Sequence, residues 1–229
     1  MRFSVLIPTR GCPERLARCA HAVFSTASDP QTVELICRLD ADDDALPAYS
    51  EVLKQLIAAG MNSRFIIGSR HSGYASYHLF VEDCARLSSG KFLIQFNDDM
   101  IIMTTGWDSI YSEALADRVP VIGTGKLTRD GTDGDQCQFA CCVVPRSVYD
   151  RCGELCLGQD PSLDRCWSEF ASIAHCEVKT DVKISHTQSP THNDGGARSS
   201  FYSSVLSNWA KKSEQWRSIG QKYADKFKP

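Results

Sequence analysis

Short apolar runs alternate with amphipathic stretches through the first hundred residues. Phe3-Ser4-Val5-Leu6-Ile7 is a β-rich run stopped by Pro8, which predicts a buried strand ending in a loop. From Pro13, a favourable first-turn residue, apolar positions recur at Leu16, Cys19, Ala20, Val23 and Phe24, the spacing of one helical face. Val33-Glu34-Leu35-Ile36-Cys37 predicts a second strand, closed by the acidic run Asp40-Ala41-Asp42-Asp43-Asp44. Tyr49, Val52, Leu53, Leu56 and Ile57 then mark a second helix ending at Gly60. Phe65-Ile66-Ile67 is a third strand, residues 69–74 a polar loop, and residues 75–87 a third helix. The strongest strand, residues 91–96, runs straight into Asn97-Asp98-Asp99, and Met100-Ile101-Ile102-Met103 continues as an apolar segment.

Strands alternating with helices imply a mainly parallel central sheet with helices on both faces. Ligands of such sheets collect at the carboxyl ends of the strands. Here those ends carry Pro8-Thr9-Arg10, the Asp40 run, the Arg70 loop and Asn97-Asp98-Asp99. The second half is less regular. Val121-Ile122-Gly123 and residues 139–144 predict strands around a Gly/Asp loop at 130–135, and a helix is expected after Asp160-Pro161. Val182-Lys183-Ile184 is a late strand before a loop holding His186 and His192. A terminal helix from about Ser200 would set Trp209, Trp216 and Tyr223 seven apart on one face.

Composition changes this picture little, except in cysteine. The chain has 229 residues, 42% hydrophobic and 23% charged, ordinary globular usage that fits one α/β domain. Its apolar runs are far shorter than the roughly 20 residues that span a bilayer, and the N-terminus lacks a signal pattern, so the expectation is a cytoplasmic protein with no membrane insertion. Seven of the 11 cysteines fall between Cys137 and Cys176, but as CxxxCC and CxxxC, poor spacing for a zinc site; reduced thiols filling the core are expected. Net charge is -3. Six Lys/Arg against Glu214 and Asp225 make residues 208–229 +4 and leave -7 elsewhere, which argues against a surface that grips nucleic acid as a whole.

Adjacent carboxylates at the exit of a hydrophobic strand are costly unless solvated or neutralised, and a divalent cation neutralises them well. An acidic turn that simply ends the strand is the competing reading. Asp40 or Asp42 is placed to hydrogen-bond a base or ribose, whereas Asp43 and Asp44 suit the start of the next helix. Arg10 and Arg70 sit where a guanidinium can pair with phosphate or with these aspartates. Asp160 before Pro161 has the makings of a helix N-cap, and Asp164, one turn later, suits a general base for a hydroxyl. Either His186 or His192 is a candidate to complete a metal site.

The order and content of these loops resemble the family 2 glycosyltransferases with a GT-A fold over roughly residues 1–190. Phe3 through Arg10 looks like the family's first strand and nucleotide loop, and the Asp40 run sits where the family has its base-binding aspartate. Asn97-Asp98-Asp99 resembles the DxD element. Cys152-Gly153-Glu154-Leu155 resembles the acceptor loop, Leu163-Asp164-Arg165-Cys166 the Glu-Asp base motif, and His186 the late metal-binding histidine. Two positions depart: Asn97 replaces the first aspartate and Leu163 the glutamate. The Ile-Pro-Thr-Arg-Gly opening and Thr105-Gly106-Trp107-Asp108 look like compact viral and bacterial versions.

The resemblance implies a single GT-A (Rossmann-like) domain over residues 1–198, with a nucleotide-sugar half (1–100) and an acceptor half (101–198). Residues 199–229 would be a basic amphipathic helix packed on it. The implied reaction is inverting transfer from a nucleoside-diphosphate sugar, a UDP-sugar foremost, to an acceptor hydroxyl of a carbohydrate or a hydroxymethylated DNA base. Pro8, Thr9, Arg10, Asp40, Asp42, Arg70, Asn97 and Asp98 would bind the donor, Asp99 and His186 would hold Mn2+ or Mg2+, and Asp164 would be the base, with Asp160 as the fallback. The terminal helix either presents an acidic acceptor or packs its Trp/Tyr face on the domain. Two rivals stand beside this: a non-catalytic nucleotide-sugar or glycan-binding module of the same fold, and a sugar-phosphate nucleotidyltransferase, disfavoured because Thr9-Arg10-Gly11-Cys12-Pro13 is no glycine-rich phosphate loop.

Overall fold

The computed structural model describes residues 2–116, 118–129, 137–186, 203–205 and 207–228. The expected loops around 130–135 and His192, and the start of the terminal helix near Ser200, lie outside them.

The first half builds as the pattern dictates. Strand β1 (Phe3–Pro8) lies between β2 (Val33–Asp40) and β4 (Phe92–Gln95), and β3 (Ser63–Gly68) flanks β2, all parallel. Helix α1 (Pro13–Ser25) starts on its proline and buries Leu16, Cys19, Ala20, Val23 and Phe24. Helix α2 (Leu46–Ala58) buries Tyr49, Val52 and Leu56 but leaves Ile57 exposed. Helix α3 (Tyr77–Leu87) begins later than expected, after a 3-10 turn at Gly73–Ser76. Strand β2 runs three residues beyond Cys37, so Arg38, Leu39 and Asp40 belong to the sheet.

Past β4 the sheet becomes mixed. Its order is β3-β2-β1-β4-β7-β6-β8-β5, with β7 (Cys137–Pro145) antiparallel to both β4 and β6 (Ile122–Arg129). Strand β8 (Glu177–His186) is parallel to β6, and β5 (Met100–Ile102) closes the far edge antiparallel to β8. The seven residues between β6 and β7 are too few for the crossover that a parallel pair needs. Two further helices, α4 (Trp107–Ala114) and α5 (Arg146–Cys152), went unforeseen, being only about two turns long.

Apolar residues alternate along the strands, so each face of the sheet has its own core. Phe3, Val5 and Ile7 pack with α1, α2 and α4; Leu6 and Leu93 pack with α3, α6 (Leu163–Ala174) and the terminal helix α7 (Trp209–Ala224). Trp107 is fully buried edge-on to Phe3, at 5.0 Å between ring centroids, and donates Nε1 to the Val23 carbonyl at 3.0 Å. Asp108, fully buried, accepts the backbone N–H groups of Ser28 and Asp29. In this structure the Gly106-Trp107-Asp108 stretch is therefore a core anchor.

Nine of the ten described thiols are buried and all ten are free. Burial pushes the Cys142 and Cys156 thiols well up, so they act as small core hydrophobes. Among the described residues no three His, Cys, Asp or Glu side chains form a metal-binding group, and no helix is long and apolar enough to cross a membrane.

Gly220 lets α7 lie directly on α6. A Cβ there would come within 2.8 Å of the Phe170 nitrogen. Ordinarily Gly→Ala inside a helix gains about 1 kcal/mol; here overpacking reverses the sign. Gly220→Ala is expected to lose about 1–3 kcal/mol in urea unfolding, and a gain would mean the helices do not touch so closely.

Candidate functional site

Four strand exits meet at one edge of the sheet. Thr9 follows β1 and is tied to β2 by its N–H, which donates to the Arg38 carbonyl at 3.0 Å. Its hydroxyl donates to Asp98 Oδ2 at 2.6 Å and lies 2.9 Å from the Tyr49 hydroxyl. A carboxylate only accepts, so the Thr9 proton goes to Asp98 and Tyr49 donates to Thr9. The Tyr49 oxygen in turn accepts the Cys12 N–H at 2.8 Å. Burial pushes the Tyr49 phenol up, keeping it protonated for this role. Asp43 caps no helix by itself: it accepts the Gly11 N–H at 2.7 Å and the Ala45 N–H at 2.9 Å, binding the β1 loop to the β2 loop.

Along the same edge runs a chain of alternating charges. Arg38, almost wholly buried, donates to Asp40 Oδ1 at 3.0 Å, Asp83 at 3.2 Å and the Ser69 carbonyl at 2.6 Å, and stacks on Phe80. Arg10 reaches Asp40 Oδ2 at 3.1 Å and Asp42 at 2.6 Å, and Arg70 stands 3.9 Å from Asp42. The hydrogen bond from Arg10 holds the exposed Asp42 carboxyl below its usual range. Arg38 was not singled out from sequence, although a lone arginine inside an otherwise apolar strand is a readable signal.

Asn97 is half-buried. Its Oδ1 accepts from the Tyr77 hydroxyl at 3.0 Å and from Gln95 Nε2 at 3.1 Å, pinning the acidic turn to α3 and β4. The turn closes through the Met100 N–H on the Asn97 carbonyl, and the chain enters β5. There Met100 pairs with His186 across the ladder. Asp99 Oδ1 and His186 Nε2 consequently lie 3.1 Å apart, both residues 5% exposed. Neither ring nitrogen of His186 has a hydrogen-bond partner among the described residues, so this contact lacks hydrogen-bond alignment. A buried imidazole with unused nitrogens beside a carboxylate is a donor set that fits a divalent cation.

Asp164 lies in the first turn of α6 and is half-buried. It helps hold up the Cys142 thiol, whose first cause is burial. Continuing the β4/β7 register from Ile94 opposite Val143 puts Cys142 beside Gln95. Asp160 is not the helix cap: Ser162 is, and Pro161 lies outside the helix. Only 4% exposed, Asp160 accepts the Ser162 N–H at 2.8 Å and contacts Gln215 at 3.3 Å and Lys212 at 3.6 Å from α7. Leu163, where the resemblance expects glutamate, is a core residue.

No family model matches the sequence, and no curated protein does. Solved structures do match in fold. The first 349 residues of TarS from S. aureus, in complex with UDP-GlcNAc, superpose at a TM-score of 0.65 with 11% identity, covering 85% of this chain and 61% of that one. The mannosyltransferase PcManGT from Pyrobaculum calidifontis, in complex with GDP-Man and Mn2+, gives 0.65 with 12% identity, over 98% and 69%. The chain thus spans about three fifths of the TarS fragment. Its fold is of the GT-A type.

Removing the buried cation should strand Asp40 in the sheet. Arg38→Met is expected to cost about 3–5 kcal/mol in urea unfolding; an unchanged midpoint would show that Asp40 does not depend on it.

Proposed function

We propose that the protein is a glycosyltransferase that moves a sugar from a nucleoside-diphosphate donor to an acceptor hydroxyl. The observation that carries the reading is the buried Asp99–His186 pair, set at the carboxyl end of β4 in a GT-A-type fold. PcManGT and TarS, which share this fold, hold GDP-Man with Mn2+ and UDP-GlcNAc respectively, which supports a nucleotide-sugar donor.

The chain's own residues divide the work. Pro8, Thr9, Arg10, Asp40, Asp42 and Arg70 line the donor edge, where the arginines are suited to a diphosphate and Asp42, the exposed acid, to a base or ribose donor group. Asp98 is fixed by Thr9, and Asn97 by Tyr77 and Gln95, so the turn meets the donor already oriented. Asp99 and His186 would hold the ion, and their mixed oxygen and nitrogen set suits Mn2+ better than Mg2+, which prefers all-oxygen octahedra. When bound, a divalent ion there supplies positive charge against the departing diphosphate. Asp164 takes the proton of the acceptor hydroxyl as its oxygen attacks the anomeric carbon and the bond to the diphosphate oxygen breaks, inverting that carbon. Residues 1–100 serve the donor and 101–198 the acceptor, in a cytoplasmic setting.

Incubation with Mn2+ and a panel of nucleotide sugars, reading released nucleoside diphosphate with and without acceptors, tests the class. Asp99→Ala is expected to cut kcat/KM at least about 100-fold and to abolish dependence on Mn2+; turnover that survives it would sink the metal pair.

Asp164→Asn should keep donor affinity while lowering kcat by roughly 100-fold or more. Asp160→Asn should lower the unfolding midpoint and spare most of kcat. The reverse pattern would move the base one turn back.

A further inference from the structure

We propose that Trp209 and Arg165 form a saccharide subsite beside the transfer site, which would seat the acceptor; its role in transfer rests on the glycosyltransferase reading above. Trp216 and Tyr223, seven and fourteen residues along α7, are each 3% exposed, as an amphipathic face requires, whereas Trp209 is 44% exposed. This departs from the expected single buried face. Full burial of a large apolar side chain contributes about 1.5–3 kcal/mol, so an open indole forgoes part of that.

The ring is held rather than loose. It meets Trp216 edge-on, with centroids 5.5 Å apart at 78°, and the Arg165 guanidinium stands 5.3 Å from its centroid. Arg165 follows Asp164 in the first turn of α6 and is itself exposed. One turn beyond Trp209, Lys212 reaches Asp160 at 3.6 Å, and Gln215 reaches it at 3.3 Å, so the start of α7 is fastened to the entry of α6. The result is a pre-oriented indole, 44% exposed, with a forked cation over its ring from the residue that follows the proposed base.

A pyranose presents C–H groups on its flat faces and hydroxyls at its rim. An indole covers such a face with little entropy lost on binding, and a guanidinium donates to the rim hydroxyls or to a carboxylate. The exposed Ile57 and Ile67 offer neither a flat surface nor such a donor. Nucleic acid fits less well, although a base can also stack. Lys212, Arg217 and Lys228 are paired with Asp160, Glu169 and Asp225, and Lys226 donates to the Cys152 carbonyl. Around Trp209 this leaves Lys211 and Arg165, fewer cations than the run of contacts a phosphate backbone requires.

The test is saturation-transfer NMR on the full chain with Mn2+ and UDP, using maltotriose, chitotriose, trigalacturonate and a short oligothymidylate as probes. At least one saccharide should receive saturation on its ring C–H protons. Trp209→Ala should weaken that saccharide about tenfold, Trp209→Phe less, and Arg165→Ala should weaken trigalacturonate more than the neutral sugars. Circular dichroism and the phenylalanine variant guard against a folding defect. The proposal is overturned if wild type binds none of the saccharides, if Trp209→Ala binds them as wild type does, or if oligothymidylate takes the ring in preference. UDP affinity, measured separately by calorimetry, should be equal in wild type and Trp209→Ala. Its absence in wild type would defeat the donor reading and leave the saccharide result to stand or fall by itself.

Discussion

The site depends on a strand pairing only three residues long. The chain leaves the parallel half of the sheet at Asn97-Asp98-Asp99 and re-enters it at the far edge, where β5 pairs with β8 and Met100 comes to lie opposite His186. Eighty-seven positions separate Asp99 from His186 in sequence, yet that ladder leaves them 3.1 Å apart. Strand register has a period of two, so a slip of one residue would turn His186 to the other face and leave Asp99 facing a different side chain. The pairing is short, but its context is firm: Met100 and Ile102 are core residues, and β8 is also held along its length by β6.

On the opposite side of the turn, charge performs the corresponding task. Asp83, Arg38, Asp40, Arg10, Asp42 and Arg70 alternate in sign from α3 through the ends of β1, β2 and β3. Its members differ in strength. Arg38 is buried and bound to two carboxylates and two carbonyls, so losing it would leave desolvated charge behind, whereas the outer Arg10–Asp42 and Arg70–Asp42 contacts are exposed to solvent screening and individually weak. Rigid at its inner end and weakly tied at its outer end, the chain keeps the loops in place, and the donor role proposed for Arg10 and Arg70 requires only its weak outer contacts to break.

This division also explains what could be read in the sequence. The parallel half was legible because each strand is an apolar run ending in a polar loop, and each helix shows its buried stripe, as in Leu16, Cys19, Ala20, Val23 and Phe24. In the far half the strands β6, β7 and β8 and the helices α6 and α7 were legible as elements, but β5 is three residues and α5 seven, too short for periodicity to declare itself. Candidate chemistry was legible by residue type, but partners were not. Nothing local in Asn97 shows that its carbonyl is used by Tyr77 and Gln95, and nothing in Asp160 shows that α7 covers it. Such facts come from contacts between distant segments, which a linear pattern does not contain.

The terminal helix illustrates the limit best. Its positive charge invites the idea of a free basic arm, but Lys212 and Arg217 are used on Asp160 and Glu169, and just past its end Lys226 and Lys228 are used on the Cys152 carbonyl and Asp225. Gly220 seats it against α6, and Trp216 and Tyr223 enter the core. Helix α6 begins with the half-buried Asp164, and its entry is secured on one side by the Asp160–Ser162 turn and on the other by Lys212 and Gln215. A carboxylate meant to take a proton needs both some water access and a fixed direction. For the base role proposed for Asp164, the contacts of α7 with Asp160 fix the entry of α6, and Asp164 stays half-buried one turn further on.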